Sequence, residues 1–146
     1  EKGYERYEIS NFSKPGTASR HNMHYWLQEE YLGLGTAAAS YINGERRTTE
    51  ASLEKYITAL SCGKKPYSSS KETLKGREKD AEKIILGLRL AKGIEIGHNI
   101  FIEFKQEFDS AAAHQFLEIH ESLTGVFIKI KPGMEYMANR LFLEFL

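Results

Sequence analysis

Two imidazoles, a thioether, a phenol and the chain's only indole fall within the run Ser19-Arg20-His21-Asn22-Met23-His24-Tyr25-Trp26. Neutral imidazole is a ligand for zinc, copper and iron. On a helix, residues three apart share a face, so His21 and His24 are a conceivable pair. A structural zinc needs four ligands, however, and the remaining histidines, His98, His114 and His120, are scattered. Haem asks for less: one axial imidazole and a flat apolar surface suffice. On that chemistry His21 is the candidate metal ligand, with Asn22, Tyr25 and Trp26 beside it as candidate haem-binding residues. The competing reading makes Tyr25 and Trp26 core aromatics and leaves His21 bonded to a backbone carbonyl. Aromatic clusters are usually packing, so the pattern alone favours that second reading.

Other reactive residues add little. Gly33 and Gly35 would let backbone approach a ligand, but a tight turn explains them as well. Cys62 falls at the end of an expected helix, where the dipole disfavours a thiolate. His120 reads as a satisfied buried histidine, and Glu29-Glu30 as solvated charge. There is no nucleophile–base arrangement and no phosphate loop with its lysine. Twenty basic residues balance twenty acidic ones, so charge points to neither nucleic acid nor an anionic membrane as partner. No apolar run approaches the roughly eighteen residues of a spanning helix, and the first residues do not read as a signal peptide. Membrane contact is therefore expected to be transient at most. One cysteine suits a reducing cytosol and argues for a cytoplasmic location. The Asn11-Phe12-Ser13 sequon is then chance.

What must position the candidate ligand is a chain of two textures. Residues 1–47 carry strand and turn signals. Tyr4–Ile9 is an expected strand, Lys14-Pro15-Gly16 a turn, and Tyr31–Gly35 a brief buried strand feeding a loop. Asn43-Gly44 is a strong hairpin signal, with Arg46–Thr49 as the second arm. From residue 48 the period turns helical. Leu53, Tyr56, Ile57 and Leu60 form one stripe, ended by Gly63 and Pro66. Ser68–Arg77 is linker-like. Ala81, Ile84, Ile85 and Leu88 mark a second helix stopped at Gly93, and Ile100–Phe108 a third. Asp109 is expected to cap a fourth, with Ala113, Phe116, Leu117 and His120 inward. Val126, Ile128 and Ile130 alternate as a strand whose other arm lies near Leu123 or before it. Pro132 suits the start of a last helix with Met134, Met137, Ala138, Leu141, Phe142 and Phe145 on one stripe. Three helices, a strand pair and a helix make a winged-helix plan. The exposed side of Ser110–Leu123 offers Gln115, Glu118 and Glu121, whose two carboxylates would repel phosphate, so no nucleic acid is expected.

Read in order, "GYERYEISNFSKPG", "SRHNMHYW", "YLGLG", "GLRLAKGI" and "LFLEFL" are similar to the oxygen-independent coproporphyrinogen III oxidase-like proteins, and most to their haem-chaperone branch, the HemW-like members. The resemblance runs from Gly3 to Leu146. Its most specific part is His-Asn-x-x-Tyr-Trp, met by His21, Asn22, Tyr25 and Trp26, and it implies that His21 is the haem-linked histidine. His24 falls on a variable position. The family implies a radical S-adenosylmethionine protein, with a 4Fe–4S cluster on a Cys-x-x-x-Cys-x-x-Cys loop of a partial β/α barrel. Cys62 alone cannot supply three thiolates, so this chain by itself can neither hold the cluster nor perform radical chemistry. The chain opens without Met, so a C-terminal fragment is expected. The expected fold is α+β: residues 1–47 as tail strands of the barrel, and residues 48–146 as a mainly helical, winged-helix-like domain. The implied function of the parent is to bind haem, or a porphyrin, and deliver it to a haem-accepting protein. The alternatives are an oxygen-independent coproporphyrinogen III oxidase in porphyrin biosynthesis, whose parent would be an enzyme, and a cofactor-free winged-helix interaction module. One departure stands out. Where the family has a Gly-Ala-His-Ser-like segment after "YLGLG", this chain has Ala37 for the glycine and Ala39 for the histidine. That removes an imidazole and restricts any left-handed backbone at residue 37.

Overall fold

Serine hydroxyls start the first two helices, because a side-chain oxygen can satisfy an amide that the first turn leaves without a partner. Ser19 Oγ accepts the Asn22 N–H at 3.3 Å, and Ser52 Oγ accepts the Lys55 N–H at 3.4 Å. The computed structural model describes residues 3–146, the side chain of Ser69 excepted. In chain order it has β1 (Glu5–Arg6), β2 (Phe12–Ser13), α1 (Arg20–Trp26), β3 (Ala39–Ile42), β4 (Glu45–Thr49), α2 (Leu53–Ser61) and β5 (Tyr67–Glu72). There follow α3 (Arg77–Gly87), β6 (Ile94–Ile96), α4 (His98–Glu103), α5 (Lys105–Ala113), β7 (Leu117–Glu121), β8 (Val126–Ile130), a short 3-10 turn (Glu135–Met137) and α6 (Ala138–Leu143). The strands form one two-stranded and two three-stranded sheets, and among the described residues no barrel closes. Among the described residues no helix is long and apolar enough to cross a membrane.

The chain divides into two units: residues 1–28 with 76–146, and residues 29–75. The expected boundary at residues 47/48 falls instead inside β4. The reason is local. The segment after β1 pairs with the turn after α3, Glu8 bridging Leu90, Ile9 N–H reaching the Arg89 carbonyl at 2.9 Å and Ala91 N–H reaching Tyr7 at 3.1 Å. Residues 3–28 thus fold with the later helices.

The first unit carries the apolar core. β8 lies between β6 and β7, all antiparallel, and its Val126, Ile128 and Ile130 point inward with period two. Against that face pack Ile84 of α3, Leu88 at its C-cap, Phe104, Phe108 of α5, and Leu141 and Phe145 from the chain end. The Phe108 ring lies 5.0 Å from both Phe101 and Phe145, centroid to centroid. Burying each such side chain contributes about 1.5–3 kcal/mol. The first unit runs helix, strand, two helices and a β-hairpin; strand β6 is absent from the expected plan of three helices, a strand pair and a helix, and two further elements differ. The expected third helix is broken at Phe104 into α4 and α5, and Asp109 lies inside α5 rather than capping a new helix. Beyond Ala113 the chain turns at Gln115, φ +57°, and becomes strand β7. Leu117 and Ile119 alternate with Glu118 and His120, a two-residue period in which His120 is exposed, not buried.

The second unit is held differently. β3 and β4 join through Asn43 (φ +53°) and Gly44 (φ +73°), the doubly left-handed turn that suits strand twist. Two nearly buried hydroxyls brace the sheet. Thr49 Oγ1 donates to the Gly35 carbonyl at 2.5 Å and accepts the Ala38 N–H at 2.9 Å, while Ser40 Oγ accepts the Gly33 N–H at 3.0 Å. The linker-like stretch from Ser68 supplies most of β5, the third strand beside β4. The buried strand expected at Tyr31–Gly35 is absent: only Tyr31 pairs, with Tyr41, and Leu32 and Leu34 are exposed. Among the described residues, every buried apolar side chain belongs to the first unit, and the α2 stripe of Leu53, Ile57 and Leu60 faces solvent.

Candidate functional site

Helix α1 is two turns long, and its side chains sort by the four-residue spacing that stacks neighbours along one face. His21 and Tyr25 share the outer face. His21 is exposed, Tyr25 half-buried, and His21 Nε2 lies 2.8 Å from Tyr25 Oη. The two rings meet edge to face, with centroids 5.0 Å apart and planes at 89°. Asn22 and Trp26 share the inner face. Asn22 Nδ2 donates to Tyr7 Oη at 3.1 Å. The Arg89 guanidinium carbon sits 4.2 Å from the centre of the Trp26 ring, and a guanidinium over an indole is a favourable cation–π arrangement.

Beneath that stack lies a buried carboxylate that the sequence pattern did not single out. Glu8 is fully buried. Its Oε1 accepts the Ser10 N–H and the Asn11 Nδ2, each at 2.7 Å, and its Oε2 faces Arg89 Nη2 at 3.2 Å. A buried carboxylate with donors on both oxygens and a cation beside it is adequately compensated. Arg89 therefore links two things: one end of its guanidinium pairs with Glu8 and its plane covers Trp26. The Gln28 side chain donates to Glu82 of α3 at 2.7 Å and fixes the far end of α1. Tyr7, Glu8 and Arg89 hold the motif, yet Glu8 and Arg89 lie 81 residues apart, and no spacing rule pairs them.

The expected site residues thus fall into two groups. The imidazole of His21 and the phenol of Tyr25 are together and reachable from solvent. Asn22 and Trp26 turn into the first unit. Trp26 also lines a cleft of about 400 Å³, which His21 does not line. Its indole N–H is buried without an acceptor. Two of the other histidines are engaged elsewhere: His98 Nε2 is 3.0 Å from the Ser122 carbonyl, and His114 Nδ1 is 2.9 Å from that of Ser110. Among the described residues no three metal-ligating side chains converge. Cys62 is exposed at the end of α2. Ala37 adopts a left-handed backbone, φ +56°, despite its Cβ, its N–H donating to the Glu50 carbonyl at 3.2 Å. Ala39 is exposed in β3, so no imidazole stands there.

Comparison with known proteins gives a consistent picture. The chain is 33% identical over 117 residues to the heme chaperone HemW of Lactococcus lactis, covering 80% of this chain and 30% of that protein. It is 38% identical over 92 residues to HemW of Bacillus subtilis, covering 63% and 24%, and 38% identical over 96 residues to HemW of Synechocystis, covering 63% and 23%. No family model matches. The chain therefore spans about a quarter to a third of the length of these relatives. Among solved structures it resembles coproporphyrinogen III oxidase (HemN) of Escherichia coli, a radical SAM enzyme, with a TM-score of 0.70 over 98% of this chain and 37% of that one. At 13% identity, that likeness is one of fold. Sequence relatives and shared fold together make the chain one of the HemW-like radical S-adenosylmethionine proteins.

Proposed function

We propose that the protein to which this chain belongs binds haem and hands it to an acceptor protein in the cytoplasm, with His21 as the iron ligand. One observation carries the reading: an exposed imidazole, oriented by a phenol at 2.8 Å, stands on a short helix whose adjoining face is pinned by Asn22 and Trp26. Haem is cargo here, so the ligand must be reachable and releasable rather than sealed in. A ligating histidine usually donates its second ring N–H to a neighbour, which fixes the tautomer and the ring plane. Tyr25 Oη is placed to accept such a proton from Nε2, leaving the Nδ1 lone pair free. With the other tautomer it would donate to Nε2 and cap it until the ring turns. Either way Tyr25 governs which nitrogen is available. Arg20, exposed at the first position of α1, is available to a propionate.

The relatives' class implies a 4Fe–4S cluster and S-adenosylmethionine in the whole protein, and the one thiol of Cys62 cannot supply that cluster. The cluster cysteines would stand outside these 146 residues. The oxidase alternative draws on the fold likeness to HemN alone, whereas the sequence relatives are named heme chaperones. The test is a haem titration of wild type, His21→Ala and Tyr25→Phe, followed at the Soret band. The alanine variant is expected to lose the ligated Soret position, and Tyr25→Phe to weaken binding about 10-fold, the low end for loss of a ligand-orienting partner. An unchanged spectrum and affinity for His21→Ala would remove that residue from the site.

A further inference from the structure

The cleft beside α1 has a composition the haem reading leaves unused. Its apolar wall is aromatic and aliphatic, from Trp26, Phe127 and Ile94, each half-buried, and its mouth carries the ammonium groups of Lys83 on α3 and Lys92 in the turn before β6. Glu95 is the one carboxylate, and its Oε1 already accepts the Thr124 hydroxyl at 2.7 Å, so the rim is cationic on balance. Neither lysine has an ion-pair partner among the described residues. The volume, about 400 Å³, is that of a small-molecule site rather than a packing defect. Arg89 covers part of the indole, and the rest of the ring fronts the cleft. Its buried N–H has no acceptor, an unmet donor beside a cationic rim.

We infer that this cleft binds a planar aromatic ligand bearing carboxylates along one edge, the ring lying against Trp26 and Phe127 and the carboxylates reaching Lys83 and Lys92. Given the haem reading, on which the choice of ligand rests, that description fits the porphyrin itself, held here by its ring and its propionates without any bond to iron. The cleft would then supply a grip on the macrocycle that is separate from the imidazole. A purely apolar ligand would not need the two ammonium groups, and a simple anion would not need the aromatic wall.

Metal-free protoporphyrin IX is the probe, because it cannot be ligated by His21, and Trp26, the chain's only tryptophan, is the reporter. With the 146-residue chain, saturable quenching of Trp26 fluorescence is expected. Two exposed charge contacts reversed together should weaken it about tenfold in Lys83→Glu/Lys92→Glu. The neutral double variant Lys83→Gln/Lys92→Gln should fall between. Absence of saturable quenching in wild type, or equal affinity in the charge-reversed variant with unaltered far-UV circular dichroism, overturns the assignment. The two proposals fail separately. Haem ligated through His21 with no uptake of the metal-free porphyrin would sink the cleft alone. Porphyrin uptake through the lysines with a haem spectrum indifferent to His21→Ala would sink the ligand assignment alone.

Discussion

Glu8→Ala is expected to loosen the whole support of α1. The substitution leaves the Arg89 guanidinium, only 24% exposed, without its carboxylate, and its Nε is already buried with no partner. Removing one member of a buried ion pair costs about 3–5 kcal/mol, chiefly because the remaining charge stays desolvated. Ser10 and Asn11 also lose an acceptor, but both are exposed and water can replace it. That places the loss at the low end, about 3 kcal/mol. For a chain of this length such a loss lowers the melting temperature by roughly 6–12 °C. Glu8→Gln keeps one acceptor oxygen and removes the charge, so about 1–2 kcal/mol is expected. Thermal unfolding followed by circular dichroism measures the loss, and Trp26 emission reports on the same unit, because freeing Arg89 uncovers the indole. A double-mutant cycle with Arg89→Met isolates the pair, with an expected coupling of about 1–3 kcal/mol. A Glu8→Ala protein within about 0.5 kcal/mol of wild type would refute the reasoning, since that is the range of an ordinary surface substitution.

Two further outcomes are expected in the second unit. The Arg47 side-chain hydrogen bond, and then that of Lys71 at 2.7 Å, hold the Glu45 carboxyl below its ordinary value of 4.5. A carboxyl depressed in the folded state contributes stability that is fully present above the unfolded value and is lost as pH falls through the folded one. The β3–β4 hairpin should therefore weaken only below about pH 4.5, and in Arg47→Gln the carboxyl carbon of Glu45, followed by NMR, should titrate closer to 4.5. A midpoint unmoved by Arg47→Gln would show that Arg47 is not the cause. Ala37→Gly should stabilise the unit by roughly 0.5–1 kcal/mol in chemical denaturation, because the left-handed backbone at φ +56° strains any residue with a Cβ. A loss of stability would mean that the Ala37 methyl makes contacts outweighing that strain.

Periodicity served well where one rule dominated. The Asn43-Gly44 turn, the alternation of Val126, Ile128 and Ile130, and the stripe ending at Phe145 all read through to the structure, since in each a single local preference agrees with burial. It misled where two periods competed. Phe116, Leu117 and His120 fit a helical stripe, but Gln115 turns the chain and the same residues continue as a strand against β8. Ser68–Arg77 is polar enough to pass for a linker, yet β4 offers a free edge, and backbone pairing needs no apolar side chains. The α2 stripe was legible as a helix, but periodicity says nothing of what covers it, and Leu53, Ile57 and Leu60 stay exposed. At the site, residue types pointed to His21, while the Glu8–Arg89 pair was invisible because only the tertiary fold brings the two together.

The spacing of His-Asn-x-x-Tyr-Trp then has a physical reading that does not depend on any one residue being a ligand. It is two four-residue pairs displaced by one position, and on a helix that displacement turns the second pair about 100° from the first. His21 and Tyr25 are therefore turned to the side when Asn22 and Trp26 face inward, and of the four only His21 is exposed. One pair is committed to the Tyr7 hydroxyl and the Arg89 guanidinium. The other must then present a nitrogen and a hydroxyl to solvent, already bonded to each other at 2.8 Å. A helix of seven residues is too short to hold its shape unaided, so the inner pair stabilises the turn that the outer pair needs. Loss of Trp26 should consequently disturb His21 chemistry even without contact between them, and loss of His21 should leave the fold intact. That asymmetry follows from the phase of one short helix.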